Sequence, residues 1–414
     1  MKDASSHEQW PALKGIKVLD LSRVLAGPWA TQLLADYGAE VIKVERPGSG
    51  DDTRSWGPPW LKDRDQNDTD DSAYFLSTNR NKRSLLANLG HPDGRRVVQE
   101  LARASDVLVE NFRVGTLKRY GLDYISLREI NPALVYCSIT AYGQTGSRAD
   151  RPGYDAMIQA SGGLMSITGA SDAEGGTPQK AGVAIADIMA GMYATTAILA
   201  ALIARNETGE GQHIDVPLYD TQVAWLANQN MNYLIGGKVP ERQGTAHPNI
   251  VPYQTFATVD GHISLAVGND RQFGACLTCL GLVELAADAR FASNASRVAN
   301  RHVLVPLLAE KFKELSTAEW LDKLQGENVP VGPINTIEDI FSENYAKERQ
   351  LVRQVYREDA GDIPTVANPV RFSSTPVSYR NAPPRLGQHT ADILSAELGY
   401  SDDEIEDLFS SGAI

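Results

Sequence analysis

Residues 15–56, GIKVLDLSRVLAGPWATQLLADYGAEVIKVERPGSGDDTRSW, decide the fold. An apolar run at 18–21 ends in the turn Ala26-Gly27-Pro28, a helical stretch follows, and a second apolar run at 41–44 delivers Glu45-Arg46 at its carboxyl end. Strand, crossover helix and strand in that order make a βαβ unit, and open sheets of this kind bind ligands outside the carboxyl ends of their strands. The fingerprint G-x-G-x-x-G is missing from this unit, which weakens an NAD or FAD reading and leaves another phosphate-bearing ligand to consider.

The same alternation runs outward to about Leu226. Strands are expected at 18–21, 41–44, 84–89, 107–110, 134–139 and 213–216, with helices between most of them, as a doubly wound parallel sheet requires. His91-Pro92-Asp93 opens one helix, with Val97, Val98, Leu101 and Ala102 on one face. The stretch 185–204 is apolar nearly all round and about as long as a membrane span. Asp187 near its start, and the small residues that follow, favour a helix buried in a globular core. After Gly236-Gly237-Lys238-Val239-Pro240 the style changes to a hairpin pair, 253–259 and 262–267 about Asp260-Gly261, then several helices. The expected organisation is α/β: a large doubly wound, Rossmann-like domain from residues 1–225, a linker at 226–250, a small α+β domain at 251–329 and a return segment at 330–414 that completes the large domain.

Composition excludes several functions. A net charge of −13 and a pI near 5.1 over 414 residues argue against nucleic acid or anionic membrane as partner, since both need clustered positive charge. Three cysteines cannot build a disulfide framework and suit a reducing compartment. The N-terminal MKDASSHEQW has neither an apolar signal core nor an Arg-rich transit pattern, so a cytoplasmic enzyme is expected. The pair Cys276/Cys279 resembles a redox or zinc half-site, but it lies in an apolar helical run without a second Cys or His pair nearby, and buried thiols are the better reading. His213 and His389 are assigned no chemistry.

Asp187 is the carboxylate that stands out, because it interrupts GVAIADIMAGMY, an otherwise apolar and small-residue run. It reads either as a helix N-cap or as a reactive carboxylate aimed by the same helix start.

Over about residues 15–390 the chain resembles the class III, CaiB/BaiF-type acyl-CoA transferases. The resemblance is carried by residues 15–54, NRNKRSLLANL, DVLVENFRVGTLKRYGL, SITAYGQTG, GYDAMIQASGGL, AIADIMAGMYA, TGEGQHIDV and LGQHT. DDTRSWGPPW, GTAHPNIVPYQTF and VPVGPINT are similar to the succinate–hydroxymethylglutarate branch of that family. The resemblance implies that Asp187 attacks the donor thioester. It implies an aspartyl anhydride and then an aspartyl-CoA thioester, with coenzyme A as co-substrate and no metal or redox cofactor. A carboxylate with an ordinary pKa of ~3.9 needs no general base for this at neutral pH. The implied CoA contacts are Val24, Leu25 and Ala26; Arg46; Ala87, Asn88, Leu89 and Gly90; Asn111, Phe112, Arg113 and Arg119; and Thr140 and Tyr142. Arg46 and Arg119 are the preferred cations, ahead of Lys82 and Arg83. The resemblance also implies an intertwined homodimer acting on acyl-CoA and carboxylic-acid substrates.

The chain departs from the formyl-CoA transferase pattern at Leu25 and Thr140, and it has no clear tetraglycine flap, so formate and oxalate are poor substrates. Residues 244–249, with His247, stand where the flap is expected. Tyr154 replaces the histidine of the related α-methylacyl-CoA racemases, and a phenol with a pKa of ~10 is a weak acid–base partner at neutral pH. Asp155 reads as a structural hydrogen-bonding residue. A dicarboxylate substrate needs a partner for its far carboxylate, for which Arg54, Arg271 and His247 stand unranked. The rival readings are a racemase-like isomerase and a non-catalytic CoA-binding protein in which Asp187 only caps a helix.

Overall fold

The computed structural model describes residues 10–414; the polar segment 1–9, read above for targeting signals, lies outside them. The chain divides into two units. The first takes residues up to Gly163, Ala181–Asn230 and Tyr345–Ile414, and the second takes Leu164–Lys180 and Met231–Asn344. The expected boundaries at 225, 250 and 329 are displaced accordingly. Residues 164–180 fall in the second unit, where the Gly244 amide donates to Gly169 O at 3.0 Å and Arg242 Nε donates to Ala170 O at 3.2 Å. Residues 330–344 fall there too, because Val331–Pro333, expected within the return segment, adds a strand to the small sheet.

The first unit is built on six parallel strands: β1 (Lys17–Asp20), β2 (Glu40–Glu45), β3 (Lys82–Leu86), β4 (Val107–Glu110), β5 (Val135–Thr140) and β6 (His213–Pro217). Their order is 3-2-1-4-5-6. The order reverses between β1 and β4, so the loops leaving those two strands diverge and open a crevice. Alternate residues feed two cores. Leu19, Leu85, Leu108 and Tyr136 meet helix α2 (Pro92–Arg103) through Val97, Val98, Leu101 and Ala102, the face its spacing predicts. Val18, Val107 and Val135 meet α1 (Ala26–Asp36) and a long helix, Ile185–Thr208. Burial on both faces explains why these strands read as continuous apolar runs.

Two local expectations change. Ala26-Gly27-Pro28 is the first turn of α1 rather than a turn before it. Proline is tolerated there because first-turn amides have no intrahelical acceptor. Gly27 is required because an added Cβ would lie 2.2 Å from the Ser22 side chain. β3 starts at Lys82 and stops at Leu86, not at 84 and 89, which leaves residues 87–90 as a loop.

The helix Ile185–Thr208 buries one stripe, including Ala186, Ala190, Ala194, Ile198 and Leu202, while Met192, Tyr193 and Ile203 remain exposed on the chain. It is the one described helix long and apolar enough to cross a membrane, and its stripe is packed on the sheet instead.

In the second unit, Tyr253–Ala257 and His262–Ala266 pair antiparallel as the hairpin pattern predicts. Phe256, Phe312 and Trp320 pack in its core, the first pair tilted and the second edge-on, with ring centroids 4.7 and 5.1 Å apart. Cys276 and Cys279 are free, buried thiols on Asp270–Leu280.

Candidate active site

Two cavities of 360 and 510 Å³ open at the carboxyl ends of the strands and share Arg23 and Phe112 in their walls. The first lies over β2, β3 and β4 and brings together Arg46, Ala87, Asn88, Leu89, Gly90 and Phe112. The second brings together Val24, Leu25, Ala26, Asn111, Arg113, Thr140 and Asp187. Arg119 is exposed in the short helix Leu117–Tyr120 and lines neither cavity. Tyr142 also lies outside both, packed against Tyr219 at 5.6 Å.

Buried charges shape the loop after β1. Asp20 accepts from Ser22 N at 2.9 Å, Thr31 Oγ1 at 2.6 Å and Lys82 Nζ at 3.0 Å. Burial alone would raise its pKa, but Lys82 and Lys43 hold it down to about 2. Burial pulls Lys82 down to about 8 against the pull of Asp20. Lys82 is therefore consumed inside the fold and is unsuited to phosphate, contrary to expectation. Lys43 donates to Ser22 O at 2.9 Å and pairs with Asp51 at 2.8 Å. Asp51 in turn accepts the Val24 amide at 3.1 Å.

Val24 is held at φ +69°, a left-handed conformation that a β-branched residue adopts only under constraint. The second constraint is Asn111, whose Oδ1 accepts the Arg23 amide at 2.9 Å while its Nδ2 donates to Arg23 O at 2.7 Å. Glu110 supports that turn by accepting the Phe112 amide at 2.8 Å, and burial lifts its pKa to about 7.

Two other expected cations are also spent. Arg83 pairs with Glu397 at 2.7 Å. Arg54, a candidate for the far carboxylate, is buried between Glu45 at 2.7 Å and Asp71. Arg271 and His247 belong to the second unit. His247 stacks on Tyr253 at 5.2 Å and accepts the Asn249 amide at 3.1 Å, and burial together with Arg301 lowers its pKa.

Asp187 is the third residue of its helix and makes no cap bond there. The cap comes from Asp155, whose Oδ1 accepts the amides of Ala186 at 2.8 Å and Asp187 at 3.4 Å. Its Oδ2 accepts from Gln159 Nε2 at 2.6 Å. The simple cap reading of Asp187 is thus overturned, because the amides that would bind its carboxylate are already taken. Burial, then the charge of Asp155, push the Asp187 carboxyl up to about 7. The expectation that it keeps an ordinary carboxylate pKa is overturned with it. Burial and the charge of Asp187 also raise Tyr74 to about 12, and Tyr74 packs edge-on against Trp56 in the cavity wall at 5.3 Å. One turn beyond Asp187, Gly191 lets its helix press on α1: a Cβ there would lie 2.7 Å from Ala26 O.

Sequence reasoning missed Arg23 and Arg151, both of which line the second cavity, and Lys43 and Tyr74. Arg23 was findable, since it directly follows the first apolar run. Lys43 and Tyr74 carry no signal, one hidden in a strand and the other brought in by the short helix Ala73–Leu76.

The CoA-transferase family III profile matches residues 13–390. The chain is 50% identical over 388 residues to the succinate–glutarate CoA-transferase of Agrobacterium fabrum, covering 94% of this chain and 96% of that protein. It is 46% identical over 402 residues to the succinyl-CoA:glutarate CoA-transferase of Homo sapiens, covering 97% and 90%. The crystal structure of a CAIB/BAIF family protein from Brucella suis superposes with a TM-score of 0.82 at 48% identity, covering 94% of this chain and 100% of that one. With a parallel sheet reversing at the crevice and a carboxylate at a helix start beside it, the chain belongs to CoA-transferase family III, the CaiB/BaiF proteins, and is a CoA-transferase.

Proposed function

We propose that this enzyme moves CoA from succinyl-CoA to a second dicarboxylate of the glutarate or hydroxymethylglutarate kind, through covalent intermediates on Asp187. The observation that carries the reading is the placement of Asp187 on a cavity that shares Arg23 and Phe112 with the crevice at the sheet reversal. An extended ligand with a nucleotide at one end and a thioester at the other suits such a pair. The relatives' names, succinate–glutarate CoA-transferase and succinyl-CoA:glutarate CoA-transferase, support the choice of acids.

In this reading the nucleotide lies in the first cavity near Arg46 and residues 87–90, and the thioester lies in the second. The ionised Asp187 attacks the thioester carbonyl, the C–S bond breaks, and CoA leaves as thiolate. The thiolate then attacks the aspartyl carbonyl of the anhydride and expels succinate, leaving aspartyl-CoA. The acceptor carboxylate attacks that thioester and releases the thiolate again. Attack of the thiolate on the acceptor acyl carbon forms the new acyl-CoA and frees Asp187. Leu25 and Ala26, at the start of α1, supply backbone amides for the oxyanions. This chemistry calls for no metal and no redox cofactor.

Racemisation needs an acid and a base on opposite faces of the α-carbon. Tyr154 is 67% exposed and is a phenol, so it is the weaker fit. We place the enzyme in the cytoplasm as a homodimer, with the exposed Met192, Tyr193 and Ile203 covered by a second copy.

The test is to incubate the protein with succinyl-CoA and a panel of acids, trap with hydroxylamine, and map the modified peptide by mass spectrometry. Modification at Asp187 and loss of all exchange in Asp187→Asn are expected. Undiminished exchange in a folded Asp187→Asn protein ends the proposal.

A further inference from the structure

A diacid joined to Asp187 or to CoA has lost the charge at its reacting end, so the carboxylate at its far end is the acyl chain's remaining charge. Inside a partly enclosed cavity such a charge is strongly disfavoured unless a cation and hydrogen-bond donors meet it.

Three guanidinium groups line the cavity that holds Asp187: those of Arg23, Arg113 and Arg151. Arg23 is already paired with Asp52 at 2.7 Å. Arg113 follows β4 directly after Phe112 and also lines a neighbouring cavity with Glu110, Asp123 and His213, so it is shared between two sites. Arg151 comes from a different wall. Its segment turns back on itself, with the Arg151 amide donating to Arg148 O at 2.9 Å, and then runs through Pro152 and Gly153 to Asp155. Asp155 is bonded to the amides of Ala186 and Asp187, so this segment is tied to the helix start that carries the nucleophile. Even fully extended, the four steps from Arg151 to Asp155 span no more than ~14 Å. Among the described residues no carboxylate pairs with Arg151. Arg151 is exposed to solvent; its sequence neighbours in the wall, Ala149, Pro152 and Gly153, carry no charge, and Asp150 beside it forms no ion pair with it among the described residues.

We infer that Arg151 receives the far carboxylate of the diacid and sets this enzyme's preference for diacids over monocarboxylic acids. The inference rests on the proposed function and adds which acid is accepted. A guanidinium suits the task because two parallel N–H groups can meet both carboxylate oxygens, whereas a lysine offers a point charge.

The experiment compares CoA transfer from succinyl-CoA to glutarate with transfer from butyryl-CoA to pentanoate, pairs of equal chain length that differ in the far carboxylate. The full-length parent, Arg151→Gln and Arg151→Lys are measured side by side. Arg151→Gln is expected to lower kcat/KM for glutarate by about thirtyfold or more while changing pentanoate less than about threefold, because a site built for a polar group loses its discrimination when the partner is removed. Arg151→Lys is expected to fall between the parent and Arg151→Gln. Arg151→Met is judged by the same ratio if the Gln variant is insoluble. A glutarate-to-pentanoate ratio within about twofold of the parent, including the case where both rates fall together, overturns the inference. A parent enzyme that transfers CoA to neither acid overturns the proposed function and this inference with it.

Discussion

The Asp155 carboxylate bonds the backbone amide of Asp187 at 3.4 Å, and that of Ala186 at 2.8 Å, so one acidic residue caps the helix while the other is left to face the cavity. The same proximity sets a like charge beside Asp187 and, after burial, is the second cause of its raised pKa.

Removing that charge should move the acid limb of activity. In the proposed mechanism Asp187 attacks only when ionised, so kcat/KM of the parent is expected to fall as the pH drops through about 7. Asp155→Asn keeps an oxygen for the helix amides but removes the like charge, and the limb is expected to move about one unit toward acid. Because burial remains, it stays above the ordinary carboxylate range. A pH–rate profile from 5 to 9 that does not move would show that Asp155 acts on the backbone alone.

The raised pKa also has a stability consequence, with the sign opposite to that of a salt-bridged carboxylate. A group that binds its proton more tightly folded than unfolded adds nothing to instability below the unfolded pKa of 3.8, and its ionisation opposes folding increasingly up to about pH 7. Asp187→Asn is therefore expected to stabilise the protein at pH 8, on the order of 4 kcal/mol, with the gain vanishing near pH 4. Denaturant unfolding at the two pH values measures the difference.

Asp51 is expected to keep Val24 in its left-handed conformation. Asp51→Ala removes the acceptor of the Val24 amide and leaves Lys43 buried without its partner, which should cost about 3 kcal/mol of stability. It should also lower kcat by roughly tenfold, as the loop of Val24, Leu25 and Ala26 loses its set position. Adding Val24→Gly should recover part of the kcat, because glycine adopts positive φ without strain. Steady-state kinetics on the single and double variants separates loop position from fold stability, since the glycine does nothing for the unpaired lysine.

Gly191→Ala should damage the site from behind. The added methyl meets the backbone oxygen of Ala26 at 2.7 Å and the Trp29 side chain at 3.1 Å, and a backbone neighbour cannot swing aside as a flexible side chain can. A cost of about 1–3 kcal/mol is expected. A thermal melt within error of the parent would show that α1 moves freely against the helix that carries Asp187.

How much of this was legible in the chain itself depends on the range of the force involved. Short continuous apolar runs separated by helical stretches located the strands of the parallel sheet, because a strand buried on both faces is apolar at nearly every position. Asp187 was visible for a similar reason: a charge within a run of small apolar residues conflicts with its own surroundings. The sharing of charges was not visible. Lys82, Arg83 and Arg54 looked like free cations, yet their partners Asp20, Glu397, and Glu45 with Asp71 lie 62, 314, and 9 and 17 residues away. Opposite charges pair by distance in space, and strand order decides that distance. The displacement of Asp187's pKa likewise awaited the fold, since burial and the approach of Asp155 from 32 residues away are tertiary facts. The sequence by itself determined where the sheet runs and which carboxylate stands out; only the tertiary structure decided which cations remain unpaired and that the Asp187 carboxyl holds its proton up to about pH 7, because electrostatic energies depend on distance and solvent access that local pattern does not encode.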